Sequence, residues 1–165
     1  LAILQEHVAT MQKEYEIIYQ CKLPEECANG YFMAPVAIAI NSIQALKKEV
    51  FGPVLHIISY QRKNLDQVIE EINSTGYGLT LGVHSRISET AEYIRDRVRA
   101  GNCYVNRNMI GAVVGLQPFG GEGLSGTGPK AGGPYYLPRL CHERTYTVDT
   151  TAGGGNASLM ALPEE

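Results

Sequence analysis

The stretch at 54–106 reads VLHIISYQRKNLDQVIEEINSTGYGLTLGVHSRISETAEYIRDRVRAGNCYVN, and its hydrophobic pattern changes period four times. VLHIISY at 54–60 is a short apolar, β-branched run and predicts a buried strand. From 64 to 73 the apolar residues Leu65, Val68, Ile69 and Ile72 fall on one helical face, with Asn64 as cap and Gln67 three residues on. Gly76 and Gly78 end that helix, and 79–84 returns to a strand pattern. A second helix is predicted at 88–99, with Ser88 as cap and Ala91, Ile94 and Val98 facing inward. Its outer face carries Glu92 with Arg95 and Asp96 with Arg99 at helical spacing. Gly101 stops it, and NCYVN at 102–106 follows as a strand. Strand, helix, strand, helix, strand implies an α/β architecture, a parallel-type sheet with flanking helices. In such sheets ligands bind beyond the carboxyl ends of the strands.

Upstream, Leu4, Val8, Met11, Tyr15 and Ile18 keep a helical period. The helix could stop near Lys13, leaving EIIYQC at 16–21 as a strand, and the β-branched content favours that division. YFMAPVAIAI at 31–40 is apolar and extended, with Pro35 predicting an irregular or edge strand. Residues 42–48 predict a short helix. Downstream, RTYTVDT at 144–150 alternates polar and apolar residues like a half-buried strand with no partner in this chain. It either folds back on a sheet edge or pairs with another subunit. A short apolar tail lies at 158–162.

Between these lies QPFGGEGLSGTGPKAGGP at 117–134, with seven glycines in eighteen residues. Glycine is costly to order, so such a run lets backbone approach something closely: a phosphate, a small substrate or another strand. Residues 121–126 satisfy GxGxxG, the dinucleotide-phosphate pattern. No apolar-faced helix opens after Gly126, Pro129 follows instead, and the motif comes after several βαβ units rather than at the first. A phosphate cradle is therefore disfavoured. A crossover loop and a backbone cradle for a carboxylate both remain open.

The bulk properties narrow the class. A chain of 165 residues, 44% hydrophobic and 19% charged, fits one globular domain or part of a larger one. The net charge of −3 and scattered basic residues give no reason to expect nucleic acid or an anionic membrane surface as partner. No apolar run approaches the roughly 20 residues of a membrane span and no signal-peptide pattern occurs, which favours the cytosol. Cys21, Cys27, Cys103 and Cys141 form no CxxC pair and no metal-ligand spacing, and read as reduced, mostly structural thiols. The chain starts at Leu1 in the middle of a helical pattern, and a piece of a longer protein is the simplest reading.

Four segments in order, EVFGP at 49–53, YGLTLGVHSR at 77–86, AGNCYVN at 100–106, and QPFGG with SGTG within 117–128, resemble the closing half of the aldehyde dehydrogenase family. More narrowly, NRNMIGAVVGLQPFGGEGLSGTGPKAGGP from 106 resembles the glutamate-semialdehyde (pyrroline-5-carboxylate) dehydrogenase branch, including that domain in the bifunctional proline-catabolic proteins of the proline utilization A type. RTYTVDTTAGGGNASLMAL from 144 is similar to the end of such proteins. The resemblance covers nearly the whole chain, most weakly before Tyr31.

It implies the C-terminal portion of an aldehyde dehydrogenase catalytic domain at 1–140, and an oligomerisation strand with a C-terminal tail at 141–165. It implies oxidation of an aldehyde by NAD, in which a cysteine thiolate attacks the carbonyl, hydride leaves to the nicotinamide and water hydrolyses the thioester. On this resemblance Glu49 accepts hydrogen bonds from the nicotinamide-ribose hydroxyls and Phe51 lies beside the nicotinamide. Phe119 lines the aldehyde pocket, Gly132 and Gly133 hold the substrate's α-carboxylate through backbone N–H groups, and Ser125 and Lys130 are neighbours of that site. Without the family, Glu49 reads as a solvated carboxylate and Phe119 as core packing. The family's nucleophilic cysteine, general-base glutamate, oxyanion-hole asparagine and dinucleotide-binding domain have no counterpart here. The chain alone is thus expected to be inactive, with no catalytic residue of its own, and Cys141 beside His142 is wrongly placed to substitute. A bifunctional parent would add a proline dehydrogenase domain carrying FAD outside this chain. The competing reading is a non-catalytic α/β assembly module whose 144–150 strand joins subunits as a homo-oligomer.

Overall fold

The computed structural model describes residues 1–149 except 112 and 114. Helix α1 (Ala2–Met11) leads into strand β1 (Ile17–Gln20), so the division near Lys13 holds. Strand β2 (Val36–Ala39) begins immediately after Pro35, and β3 is Val54–Ile57. The order β1-β2-β3 makes β2 the central strand, antiparallel to β1 and parallel to β3. Pro35 was expected to mark an irregular or edge strand; β2 is not an edge, but its pairing with β1 carries a register shift between Ile17 and Tyr19. The proline stands just outside the strand, where its missing N–H costs no ladder bond, and its carbonyl still accepts the Cys21 N–H at 2.9 Å. Met11 of α1 packs with Val36, Ile38 and Ile40 in one core, with Ile17, Val54 and Ile58 against it.

Strand β3 is not buried on both sides as predicted. Leu55 remains 59% exposed and Ile57 36% exposed. Alternate side chains of a strand point to opposite faces, and β3 packs Val54 on the core while the face carrying Leu55 and Ile57 stays uncovered. The segment 42–48 contributes only a 3-10 turn, Ile43–Ala45, with the Ser42 hydroxyl accepting the Gln44 N–H.

Helix α2 (Leu65–Ser74) buries Ile69 as the period requires, but the Asn64 side chain makes no cap and Gln67 donates to Glu71 one turn on. The Arg62–Asn64 3-10 turn feeds the helix directly, leaving Asn64 outside the extended conformation a capping side chain needs. Strand β4 (Tyr77–Gly78) and β5 (Thr80–Val83) follow, then α3 (Ser88–Arg95) and β6 (Asn102–Val105). Strands β5 and β6 pair in parallel across α3, the expected βαβ unit. They form a ladder separate from β2–β3, so the described strands do not join into one continuous sheet.

The expected Glu92–Arg95 and Asp96–Arg99 pairs do not form. The helix ends at Arg95, whose guanidinium instead meets Asp96 at 2.8 Å, while Arg97 stacks over the Tyr93 ring. Asn73 closes this end of the unit by donating to the Arg97 carbonyl and accepting the Arg99 N–H, both at 2.8 Å. Residues 144–149 run exposed and belong to no ladder among the described residues, whereas residue 150 of the expected strand and the apolar tail at 158–162 lie outside the described residues. Among the described residues no helix is long and apolar enough to cross a membrane.

Candidate functional site

The glycine-rich segment turns back on the sheet. Its short strand β7 (Glu122–Gly123) pairs antiparallel with β4, and Phe119 bridges Ala131 further on. The GxGxxG run is therefore a strand-and-turn packed on other backbone, and no helix opens from it. The third of the three partners considered, another strand, takes the first half of the loop. It also sits at the amino ends of β5 and β6, around 76–78 and 100–102, and not beyond their carboxyl ends as expected.

Gly101 shows how tight this packing is. A Cβ there would lie 1.9 Å from the Gly120 carbonyl oxygen, a distance no side chain tolerates. Beside it Asn102, only 7% exposed, ties loop to strand. Its amide donates to the Pro118 carbonyl and the Tyr104 hydroxyl, each at 3.2 Å, and its Oδ1 accepts the Gly120 N–H. Buried amides of this kind persist when nearly every donor and acceptor is matched. Asn102 was read only as part of a strand, because spacing gives no sign of a side chain that bonds 16 and 18 residues away.

The substrate candidates Phe119, Gly132 and Gly133 come together. The Phe119–Ala131 bridge, with N–H···O distances of 3.0 and 2.9 Å, sets the aromatic ring's segment against the 131–133 turn. Gly132 has φ of +71°, a left-handed conformation that suits glycine. Among the described residues its N–H has no hydrogen-bond partner. The Gly133 N–H instead donates to the Lys130 carbonyl at 3.0 Å and closes the turn. Of the two N–H groups expected to hold a carboxylate, one is therefore free and one is engaged.

Ser125 lies elsewhere. Its hydroxyl accepts the Gly78 N–H at 3.0 Å, clipping the loop to β4, and it lines a cleft of about 870 Å³ together with Glu49, His56, Thr80 and Arg99. The Glu49 carboxylate is exposed on that wall and, among the described residues, has no hydrogen-bond or ion-pair partner. Phe51, two residues on, is 88% exposed. The Glu49 carboxylate and the Phe51 ring are both uncovered. The described residues thus bring Glu49 and Ser125 to one cleft and Phe119, Gly132 and Gly133 to one turn, without joining the two sets in one cavity.

Burial pushes the Cys103 thiol up, against a smaller downward pull from Arg95. The exposed Cys141 thiol donates to the Leu137 carbonyl at 3.6 Å rather than to His142. Asn106 is a further residue that pattern reading missed. It is the one non-glycine residue with positive φ among those described, at 54°, and its amide pairs with both backbone groups of Ser85 at 2.9 Å. The NRN that follows β6 held the signal, because asparagine tolerates the left-handed region.

The model of the aldehyde dehydrogenase family matches residues 2–146. The chain is 53% identical over 146 residues to the bifunctional protein PutA of Klebsiella aerogenes, covering 86% of this chain and 11% of that protein. It is 42% identical over 123 residues to a 1-pyrroline-5-carboxylate dehydrogenase of Geobacillus, 73% of this chain and 23% of that one. A crystal structure of a Bradyrhizobium japonicum proline utilization A mutant superposes with a TM-score of 0.83 at 54% identity, over 92% of this chain and 15% of that one. A 1-pyrroline-5-carboxylate dehydrogenase from Thermus with bound NAD superposes with a TM-score of 0.71 at 36% identity, over 82% and 26%. The chain thus spans between about a tenth and a quarter of the length of these relatives, and it belongs to the aldehyde dehydrogenase family.

Proposed function

We propose that this chain is the closing part of the catalytic domain of an NAD-dependent dehydrogenase that oxidises L-glutamate γ-semialdehyde, formed from 1-pyrroline-5-carboxylate, to glutamate in proline catabolism. The observation that carries this reading is the 42% identity over 123 residues to a protein named for that activity. In this reading residues 1–140 belong to the catalytic domain, and Glu49 and Phe51 hold the nicotinamide-ribose end of NAD. The cofactor, when bound, supplies the hydride acceptor. Phe119 packs along the aldehyde chain, and the 131–133 turn receives the substrate's carboxylate, with the open Gly132 N–H as its first donor. Ser125 serves the site by clipping the loop to β4. The nucleophile, the general base and the dinucleotide-binding domain come from outside this chain, as does FAD where the parent is bifunctional.

The test is NADH formation from NAD and pyrroline-5-carboxylate, by this chain alone and by the complete polypeptide carrying it. Turnover by the complete polypeptide and none by the chain is expected. Turnover by the chain alone would overturn the assignment of the nucleophile and redirect attention to Cys103 and Cys141.

A second role, assembly, is favoured by residues 144–148. Among the described residues they belong to no ladder, with Tyr146 83% exposed and Val148 53% exposed two residues apart. Alternating exposed apolar residues suit a strand that adds to another subunit's sheet. The two roles are compatible in one oligomeric enzyme.

A further inference from the structure

Lys130 precedes the 131–133 turn, and its side chain is fully engaged without meeting an opposite charge. Its ammonium donates to the Gly101 carbonyl, to the Gly120 carbonyl at 3.0 Å and to Asn102 Oδ1 at 3.2 Å. Three donors meet three acceptors, which is the whole donor capacity of a lysine. Its backbone carbonyl meanwhile accepts the Gly133 N–H that closes the turn. Among the described residues no carboxylate pairs with it; the ion pair found there is Arg95–Asp96. The half-buried ammonium is therefore solvated by neutral dipoles, and no carboxylate among the described residues pairs with the charge of this residue, which directly precedes the turn. Such a charge, partly withdrawn from water, acts on a neighbouring anion more strongly than a surface lysine does.

We infer that Lys130 is a positioning residue that sets substrate specificity: clasped by Gly101, Gly120 and Asn102, it holds the 131–133 turn in place and supplies the positive field that favours an aldehyde bearing a carboxylate over an uncharged one. This rests on the reading of that turn as the carboxylate site. Lys130 touches no reacting atom. It acts through the turn and through its charge, and these two contributions separate experimentally.

The experiment measures kcat/KM of the complete enzyme for 5-oxopentanoate and for pentanal, which differ only in the carboxylate, in wild type, K130Q and K130R. Gln keeps a donor and removes the charge, whereas Arg keeps both. K130Q should lower the 5-oxopentanoate/pentanal ratio by about tenfold or more, and K130R should keep it within about threefold. An unchanged ratio in K130Q, or equal losses on both aldehydes, would overturn the inference and leave Lys130 a structural clasp. If K130Q does not fold, N102D places a negative charge against the ammonium and is read by the same ratio, where no change again overturns the inference. A wild-type enzyme that fails to oxidise glutamate semialdehyde removes the underlying reading as well. One that oxidises it, with the ratio insensitive to Lys130, removes this inference alone.

Discussion

The Nε2 atoms of His7 and His56 lie 3.0 Å apart, with their rings edge to face, joining α1 to β3. One imidazole donates and the other accepts, so the pair needs at least one neutral ring. Burial, then the positive charge of Lys48, holds His7 below the ordinary imidazole value near 6.5. Burial, then His7 itself, does the same for His56. The unfolded chain thus binds protons more readily than the folded one around pH 6.5, and stability falls as pH falls. The contribution is complete above about pH 7.5 and is lost as pH drops through 6.5 toward the lowered folded values. Melting temperature should fall by a few degrees between pH 7.5 and 5.5, and H7Q should flatten that slope. A slope unaffected by H7Q would mean that other groups govern the acid side.

Gly101 faces the Gly120 carbonyl at a distance that excludes a Cβ. Gly101→Ala must push the loop away from β6, straining the Asn102 and Lys130 bonds that cross the same gap. The expected cost is on the order of 1–3 kcal/mol, seen as a melting temperature lower by several degrees. In the complete enzyme, turnover should also fall, because Phe119 rides on the displaced segment. A variant that melts like wild type would show that the loop yields freely.

Glu49→Gln tests the cofactor end. The carboxylate has no partner among the described residues, so removing its charge should leave the melting temperature within about one degree. If it accepts two ribose hydroxyls, the loss of charge-assisted bonds should raise the KM for NAD by roughly tenfold or more. Steady-state kinetics with NAD as the varied substrate decides this, and an unchanged KM would return Glu49 to a plain surface carboxylate.

Truncation after Leu140 tests the assembly role. Removing the arm with exposed Tyr146 and Val148 should lower the particle mass of the complete protein measured by light scattering, with little effect on the chain's own melting. An unchanged mass would exclude the arm from subunit contact.

How far could the sequence be read without coordinates? Periodicity located α1, α2, α3 and most strands, because burying one face of a helix or strand imposes its own spacing on apolar residues. Phe119 and the 131–133 turn were singled out only by the family resemblance, since residue type and order alone left a crossover loop and a carboxylate cradle both open. Pairing was beyond periodicity. That Pro35 stands beside a central strand, that β3 is an edge, and that the glycine loop returns to the amino ends of β5 and β6 are relations between distant segments, and local pattern does not encode the partner. The same holds for side chains whose role is set by what they reach. Asn102 and Lys130 look like ordinary polar residues in the string, and only the fold brings three carbonyl and amide oxygens around one ammonium group. Composition and period determined which segments are buried and regular; the tertiary structure decided which polar groups are satisfied and by whom, because a hydrogen bond depends on position in space and not on distance along the chain.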